Sequence, residues 1–264
     1  MKVKFLLITV LTLLFSISVL AQENINSEWI RVYFNMPSDT SVMAEGNKAN
    51  DSWDLISTLE NLIDSAKFSI DLSIYDIEDE RIAYALVKAK KRGVRVRVVT
   101  DNHNRTDGGV LDEKIWEIFR KGGITSIDDD GDIYFPNGDI SDNNLINDGA
   151  DMHNKFAIID ALSEDKNDDY VWTGSTNLTY TGAYNTNNTI VIKDHEIAKV
   201  YLQEFEQMWG SDKDVPDPDK ALFHKDKKDV SEHIFDVGGT KVEVYFAPIN
   251  RDDTKPSVSD RIVE

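Results

Sequence analysis

Apolar positions along this chain recur in two alternating rhythms. Between Asp51 and Lys67 they fall three and four residues apart, at Trp53, Ile56, Leu59 and Ile63, which places them on one stripe of a helix. The run Phe68–Tyr75 instead alternates apolar residues with Ser69, Asp71 and Ser73, and reads as a strand. The same pair repeats, with a helix expected over Asp79–Arg92, a strand over Val94–Thr100 and a helix over Val110–Lys121. Further on, Met152–Asp160, Tyr170–Thr173 and Asn188–Lys193 read as strands, and His195–Trp209 as a helix. Alternation of this kind predicts an α/β layered domain, a mixed β-sheet flanked by helices. Asp212–Gly239 carries Pro216, Pro218 and many charges and is expected to be a linker.

The first residues follow a different pattern. Lys2 and Lys4 precede an apolar stretch from Phe5 to Leu20, and Val19-Leu20-Ala21 offers a small-residue cleavage site. Residues 1–21 are therefore expected to be a signal peptide, and the protein to be secreted or periplasmic. The 264 residues contain no cysteine, which excludes disulfides and thiolate metal sites. The formal charge is −19 with Lys2 and Lys4 included, so −21 without them. So acidic a body opposes unspecific attraction to nucleic acid or anionic lipid. A local cationic site inside it remains compatible with either. Lys88, Lys90, Lys91, Arg92, Arg95 and Arg97 are expected to form a solvated helix end and strand face. The acidic run Asp128-Asp129-Asp130-Gly131-Asp132 has calcium-loop letters, but the twelfth position, Asn137, is not the glutamate such a loop needs. An acidic surface loop is the expectation there.

The chemistry concentrates in one strand and the turn after the next. Side chains alternate along a strand, so His153 and Lys155 project side by side with Ala157 and Ile159. An imidazole can attack phosphorus and carry a covalent intermediate. An ammonium beside it can hold the non-bridging oxygens. Ser175 and Asn177 follow the strand Tyr170–Thr173 and could add a hydroxyl and an amide to the same anion. Asp160 is seven residues from His153, roughly 23 Å along an extended strand. It cannot orient that histidine. It is expected to fix the following turn or to pair with a basic group.

Together these residues read H-x-K-x4-D followed by G-S-x-N, and the pattern resembles the signature of the phospholipase D superfamily. The similarity extends from about Trp29 to Trp209, through the strands Ile70–Tyr75 and Val94–Asp101 and the helix that ends Glu204–Trp209. The resemblance implies a phosphodiesterase of phospholipase D type, acting on a phospholipid or on nucleic acid; the acidic balance and the expected export favour phospholipid. It implies catalytic roles for His153, Lys155 and Asp160. It also implies phosphate binding by Lys155, Ser175 and Asn177, with no metal and no cofactor. A nuclease of the same superfamily and a non-catalytic phosphate- or partner-binding relative are the alternatives.

The sequence departs from the family pattern in three places. Thirteen residues, 161–173, separate Asp160 from Gly174, more than is usual. Asn187 stands where many members carry a glutamate. Members usually bring two such motifs to one phosphate, and no second H-x-K exists here: His103, His195, His224 and His233 all lack a lysine two positions on. The strand Lys241–Pro248 does echo Ile30–Pro37 at an offset of 212 residues. The expected organisation is thus a leader at 1–21, the phospholipase D-like domain at 22–211, a linker at 212–239 and the start of a second, truncated repeat at 240–264. The second motif would come from a missing C-terminal half or from a homodimer partner.

Overall fold

The computed structural model describes residues 28–36, 53–106, 110–141, 150–229, 231–247 and 258–263. The leader expected at residues 1–21 lies outside them. The main chain runs through β1 (Ile30–Phe34), α1 (Leu55–Ser65), β2 (Ser69–Ile74), α2 (Glu80–Arg92), β3 (Arg95–Thr100), the short α3 (His103–Thr106) and α4 (Val110–Gly122). It continues through β4 (Ser126–Asp128), β5 (Ile133–Tyr134), β6 (Ile140–Ser141), β7 (Lys155–Ile159), β8 (Tyr170–Gly174), α5 (Tyr180–Tyr184), β9 (Asn188–Lys193) and α6 (His195–Trp209). The hairpin β10 (Ile234–Val237) and β11 (Thr240–Glu243) follows, then α7 (Val258–Val263).

Among the described residues one sheet holds nine strands in the order β1-β9-β8-β7-β2-β3-β4-β5-β6. Strands β2, β3 and β4 run parallel, while β7 joins β2 antiparallel and β8, β9 and β1 continue antiparallel. This is the mixed α/β layering that the two rhythms predict. Alternation along β7 divides its side chains between the two faces. Ala157 and Ile159 meet Ile56, Leu59, Ile63 and the buried residues of α2, whereas Phe156 and Ile158 meet Ile197, Phe205 and Met208 of α6. Every residue of β2 is buried, which a strand covered on both faces requires.

Local sequence signals set the helix ends. The Asp54 carboxylate accepts from the backbone of Ile56 and Ser57, Asp79 accepts from Arg81, and Asp194 accepts from Ile197. Gly93 and Gly210 close α2 and α6 at φ 95° and 76°, conformations a side chain resists. Trp53, expected on the buried stripe of α1, instead precedes the helix, half-exposed and edge-on to Tyr33.

Three expectations change in the folded chain. Arg97 is fully buried, not solvated: its Nε donates to Asp71 Oδ1 at 2.6 Å and its guanidinium stacks over Phe205 and Trp209. Arg95 adds a second ion pair to the same carboxylate at 3.0 Å. Two arginines at alternate strand positions converge on one buried aspartate from the neighbouring strand, a pairing that sequence spacing does not reveal. The acidic run is also buried, with Asp128 and Asp129 both at most 3% exposed. Asp128 accepts from the backbone of Asp130 and Asp132 and from the Tyr134 hydroxyl, so its oxygens close the β4–β5 turn. Finally, the segment after Gly210 lies against α6. Leu222 N donates to Gln207 O, Phe223 is buried, and Lys227 pairs with Glu204 inside the protein. Of the echoed segment Lys241–Pro248 only the start is strand, within β11, which pairs with β10; Val244 is buried in the α6-side core.

Candidate active site

The site forms where β2 ends and β7 begins. Tyr75 N donates to Asn154 O at 2.8 Å, so the chain before Lys155 continues alongside the end of β2. Met152 is buried and its N–H donates to Asp101 Oδ2 at 2.7 Å. Those two bonds fix the backbone on either side of His153. From that backbone His153 and Lys155 meet, with Lys155 Nζ 3.2 Å from His153 Nε2 and 3.2 Å from His153 O. Both side chains rest on Tyr75: the imidazole lies 4.4 Å from its ring and the ammonium 4.9 Å from the ring centroid. Their surroundings differ sharply. His153 is exposed, whereas Lys155 is only 8% exposed.

Burial governs the charge of both groups. It pushes the Lys155 ammonium down to about 8, against the opposing pull of the Asp76, Asp101 and Asp151 carboxylates. It also lowers the His153 imidazole, and the Lys155 charge lowers it further. The imidazole is therefore mostly neutral at pH 7, its Nε2 facing the Lys155 ammonium, while most of the lysine stays cationic. A neutral nucleophile beside a cation is the combination that attack on an anionic phosphodiester needs.

The G-S-x-N turn arrives from the neighbouring strand. Phe156 pairs with Thr173, so Gly174 follows opposite Lys155. Gly174 has φ 155°, and a Cβ there would stand 2.3 Å from Asn188 O, so only glycine fits. The Ser175 hydroxyl donates to Asn187 Oδ1 at 2.9 Å and accepts from Asn188 N at 3.0 Å. Asn187 in turn donates from its amide to Gly182 O and from its backbone to Asn35 Oδ1. Asn187 thus ties the Ser175 turn to α5 and to the end of β1. Asn177 is half-buried, and its Oδ1 has no hydrogen-bond partner among the described residues.

Asp160 sits at the other end of β7, roughly 16 Å from Lys155 at strand rise. Its Oδ1 accepts from the backbone N–H groups of Lys67, Phe68 and Ser69 at 3.0, 2.7 and 3.0 Å. Asp160 itself has φ 60°, a left-handed conformation that aspartate tolerates better than most residues. It is 2% exposed and fixes the turn between α1 and β2. The structure thus brings His153 and Lys155 together, carries Ser175 and Asn177 to the same edge of the sheet, and leaves Asp160 at the opposite edge.

Sequence reasoning missed the floor of the site. Tyr75, Asp76, Asp101, His103 and Asn104 all follow the carboxyl ends of the parallel strands β2 and β3. That edge of a parallel sheet is where ligands gather, which is the signal that could have found them. His103 Nδ1 lies 2.7 Å from Asp101 Oδ1, and its ring packs 4.4 Å from Tyr75.

Comparison with known proteins places this geometry in a wider setting. Residues 59–209 match the family described as cardiolipin synthase, PLD-like domain. The human mitochondrial cardiolipin hydrolase is 29% identical over 174 residues, 66% of this chain and 56% of that protein. A phospholipase D from Rickettsia conorii is 32% identical over 148 residues, 56% of this chain and 60% of its own length. The chain therefore spans less than two thirds of the length of these relatives. Among solved structures, the phospholipase D family member Nuc from Salmonella typhimurium is similar, at 26% identity and a TM-score of 0.47. That match covers 68% of this chain and 93% of the other.

Proposed function

The chain belongs to the phospholipase D-like family, and from that premise we propose that it is a phosphodiesterase in which His153 attacks phosphorus and becomes a phosphohistidine. The observation that carries this reading is the 3.2 Å approach of the buried Lys155 ammonium to the Nε2 of an exposed, neutral His153. In this reading Lys155 and Asn177 hold the non-bridging oxygens, and Ser175 shapes the turn that presents Asn177. A second copy of the chain, or a C-terminal repeat, adds a second H-x-K to the same phosphate. The leader at residues 1–21 sends the protein out of the cytoplasm, to the periplasm or beyond.

A phospholipid is the favoured substrate. Relatives named cardiolipin hydrolase and phospholipase D support it. So does an exposed aromatic pair on α5, just after the G-S-x-N turn. Tyr180 and Tyr184 are 73% and 67% exposed, with ring centroids 4.8 Å apart. Tyrosines of this kind suit a surface that is apolar on one side and wet on the other. The acidic body opposes unspecific attraction to nucleic acid and to anionic lipid alike, so the named relatives and the tyrosine pair carry the preference. Purified protein should release the headgroup from cardiolipin or phosphatidylglycerol vesicles and leave DNA intact. Cleavage of DNA alone would sink the lipid assignment and leave the phosphodiesterase standing.

A non-catalytic phosphate-binding role has one observation in its favour. Asn187 supplies an amide where many family members carry a carboxylate, and it bonds Ser175. That role requires wild-type protein to bind the vesicles without turnover, and a single measured turnover excludes it.

A further inference from the structure

The edge of the sheet that carries His153 and Lys155 also carries an uncharged, partly aromatic rim that the chemistry does not use. We propose that α5 and the end of β1 form a docking edge that seats the protein on the headgroup layer of a phospholipid bilayer. The inference rests on the lipid reading of the function and adds to it the surface that brings the site to its substrate.

Strand pairing puts this rim beside the site. Lys155 opens β7, Phe156 pairs with Thr173, Gly174 with Thr189, and Asn188 with Phe34. The start of β7, the end of β8, the start of β9 and the end of β1 therefore lie along one edge. Three steps between neighbouring strands separate β7 from β1, roughly 14 Å. Asn35 fastens α5 to that end of β1. Its side-chain amide donates to Ala183 O at 3.0 Å and to Asn185 O at 2.6 Å, and its Oδ1 accepts from Asn187 N at 2.9 Å. Met36, the next residue, is exposed. Trp53 N donates to Phe34 O at 2.9 Å, and its half-exposed ring stands edge-on to Tyr33. The exposed rings of Tyr180 and Tyr184, 4.8 Å apart and one helical turn from each other, complete the rim.

The composition of the rim fits a bilayer surface. The connection from Ser175 to Asn187 contains no Asp, Glu, Lys or Arg, in a chain of which 29% of residues are charged. The connection at the opposite edge, between β7 and β8, is its reverse and holds Glu164, Asp165, Lys166, Asp168 and Asp169. The carboxylates beside the rim are engaged. Glu78 Oε2 accepts from Tyr180 N at 3.4 Å, and Asp54 and Asp79 pair with Arg81. Tyrosine and tryptophan rings among hydroxyls and amides present apolar bodies with polar tips, which the boundary between headgroups and acyl chains accommodates. A body of formal charge −19 is repelled by an anionic surface. A contact made through neutral groups is the one such a body can sustain. With the rim on the bilayer, the site opens onto the same surface three strands along.

Neutral docking also sets the salt dependence. Attraction between opposite charges weakens as salt screens it. Here salt screens only the repulsion between the acidic body and an anionic bilayer. Binding to phosphatidylcholine vesicles should therefore ignore salt, and binding to phosphatidylglycerol vesicles should tighten with it.

Flotation of the full chain with each kind of vesicle, at low and high salt, reads the docking without any turnover. Tyr180→Ser/Tyr184→Ser should bind both vesicles about 10- to 100-fold more weakly, because affinity follows buried apolar area. Its Tm should stay at the wild-type value, since both side chains are exposed. Tyr180→Trp/Tyr184→Trp should bind at least as tightly as the wild type. Turnover of bis(4-nitrophenyl) phosphate, a soluble diester, should stay within about twofold in the serine variant. Turnover of phosphatidylglycerol vesicles at limiting lipid should fall with the affinity. Unchanged vesicle binding in the serine variant would overturn the proposal. So would wild-type binding confined to phosphatidylglycerol and released by salt. A wild-type oligomer that the serine variant dissociates, with vesicle affinity unchanged, would overturn it and give the rim to a second copy. Tyrosine-dependent vesicle binding by a protein that cleaves neither diester would uphold the docking edge and remove the phosphodiesterase reading. Cleavage of the soluble diester by a protein that binds no vesicle would do the reverse.

Discussion

At its Lys155 end, β7 presents an ammonium and an imidazole 3.2 Å apart, and the turn after β8 carries an asparagine oxygen that meets no partner among the described residues. At its Asp160 end the same strand presents a carboxylate that accepts from three consecutive backbone N–H groups. Both ends are polar, and both belong to one sequence motif. They differ in whether the fold satisfies the charge. Each end even has its own histidine–aspartate pair. At the Lys155 end it is His103 with Asp101, and a second histidine and a lysine stand beside it. At the other end it is His195 with the buried Asp169, which joins the start of α6 to the start of β8. The His103 pair belongs to the floor of the site. The His195 pair instead ties α6 to β8, although its Asp169 Oδ1 meets no hydrogen-bond partner among the described residues.

The sharpest way to break this contrast is at His153. Its replacement by alanine should lower phosphodiester turnover by roughly 10,000- to 1,000,000-fold, as loss of a nucleophile does. The melting temperature should barely move, because the side chain is exposed. A large fall in stability without loss of turnover would reverse the assignment of the two ends.

The complementary change is Asp160→Asn. The amide fits the left-handed backbone but loses the charge that three N–H groups share, at a cost of about 3 kcal/mol. For a chain of this size that is a drop in Tm of roughly 6–12 °C. Turnover per folded molecule should stay within about threefold of wild type, since Asp160 lies roughly 16 Å from Lys155. Selective loss of turnover with an unchanged Tm would give Asp160 a catalytic part.

The pH profile reads the Lys155 end alone. His153 must be neutral, and partial desolvation together with the Lys155 charge holds it below the usual histidine range. Lys155 must be charged, and burial holds it at about 8. The value of kcat/KM, which reports the free enzyme, should therefore be flat near neutrality and fall about tenfold per pH unit above about pH 8. A profile level up to pH 10 would show that the free protein does not depend on that ammonium. The smallest effect is expected from Ser175→Ala, about tenfold or less in turnover, because the hydroxyl is engaged by Asn187 and Asn188.

Much of this contrast was out of reach of the one-dimensional pattern. The sequence expectation that His153 and Lys155 meet holds, although β7 begins only at Lys155 and His153 lies in the extended segment before it. Distance along the strand correctly removed Asp160 from His153, since an extended backbone has a fixed rise. What Asp160 does instead depends on the α1–β2 turn, more than ninety residues earlier in the chain. The misjudged residues share this cause. Arg97 sits among Lys and Arg in sequence, as a solvated residue would, yet β2 and α6 supply Asp71, Phe205 and Trp209 around it. Trp53 fitted the helical stripe, but the Asp54 cap starts the helix after it. His103 lacks a lysine two positions on. Its place in the site comes from Asp101 and Tyr75, which only parallel pairing of β2 and β3 brings to one edge.

The sequence by itself determined the layered α/β class, the helix caps and the meeting of His153 with Lys155, because each follows from short-range periodicity or from bonds within a few residues. Tertiary structure alone decided which charges are buried, which are satisfied and which second histidine stands near the first. Those depend on strand order and on which backbone amides reach a given carboxylate, and neither is set until the sheet has closed its long-range pairs.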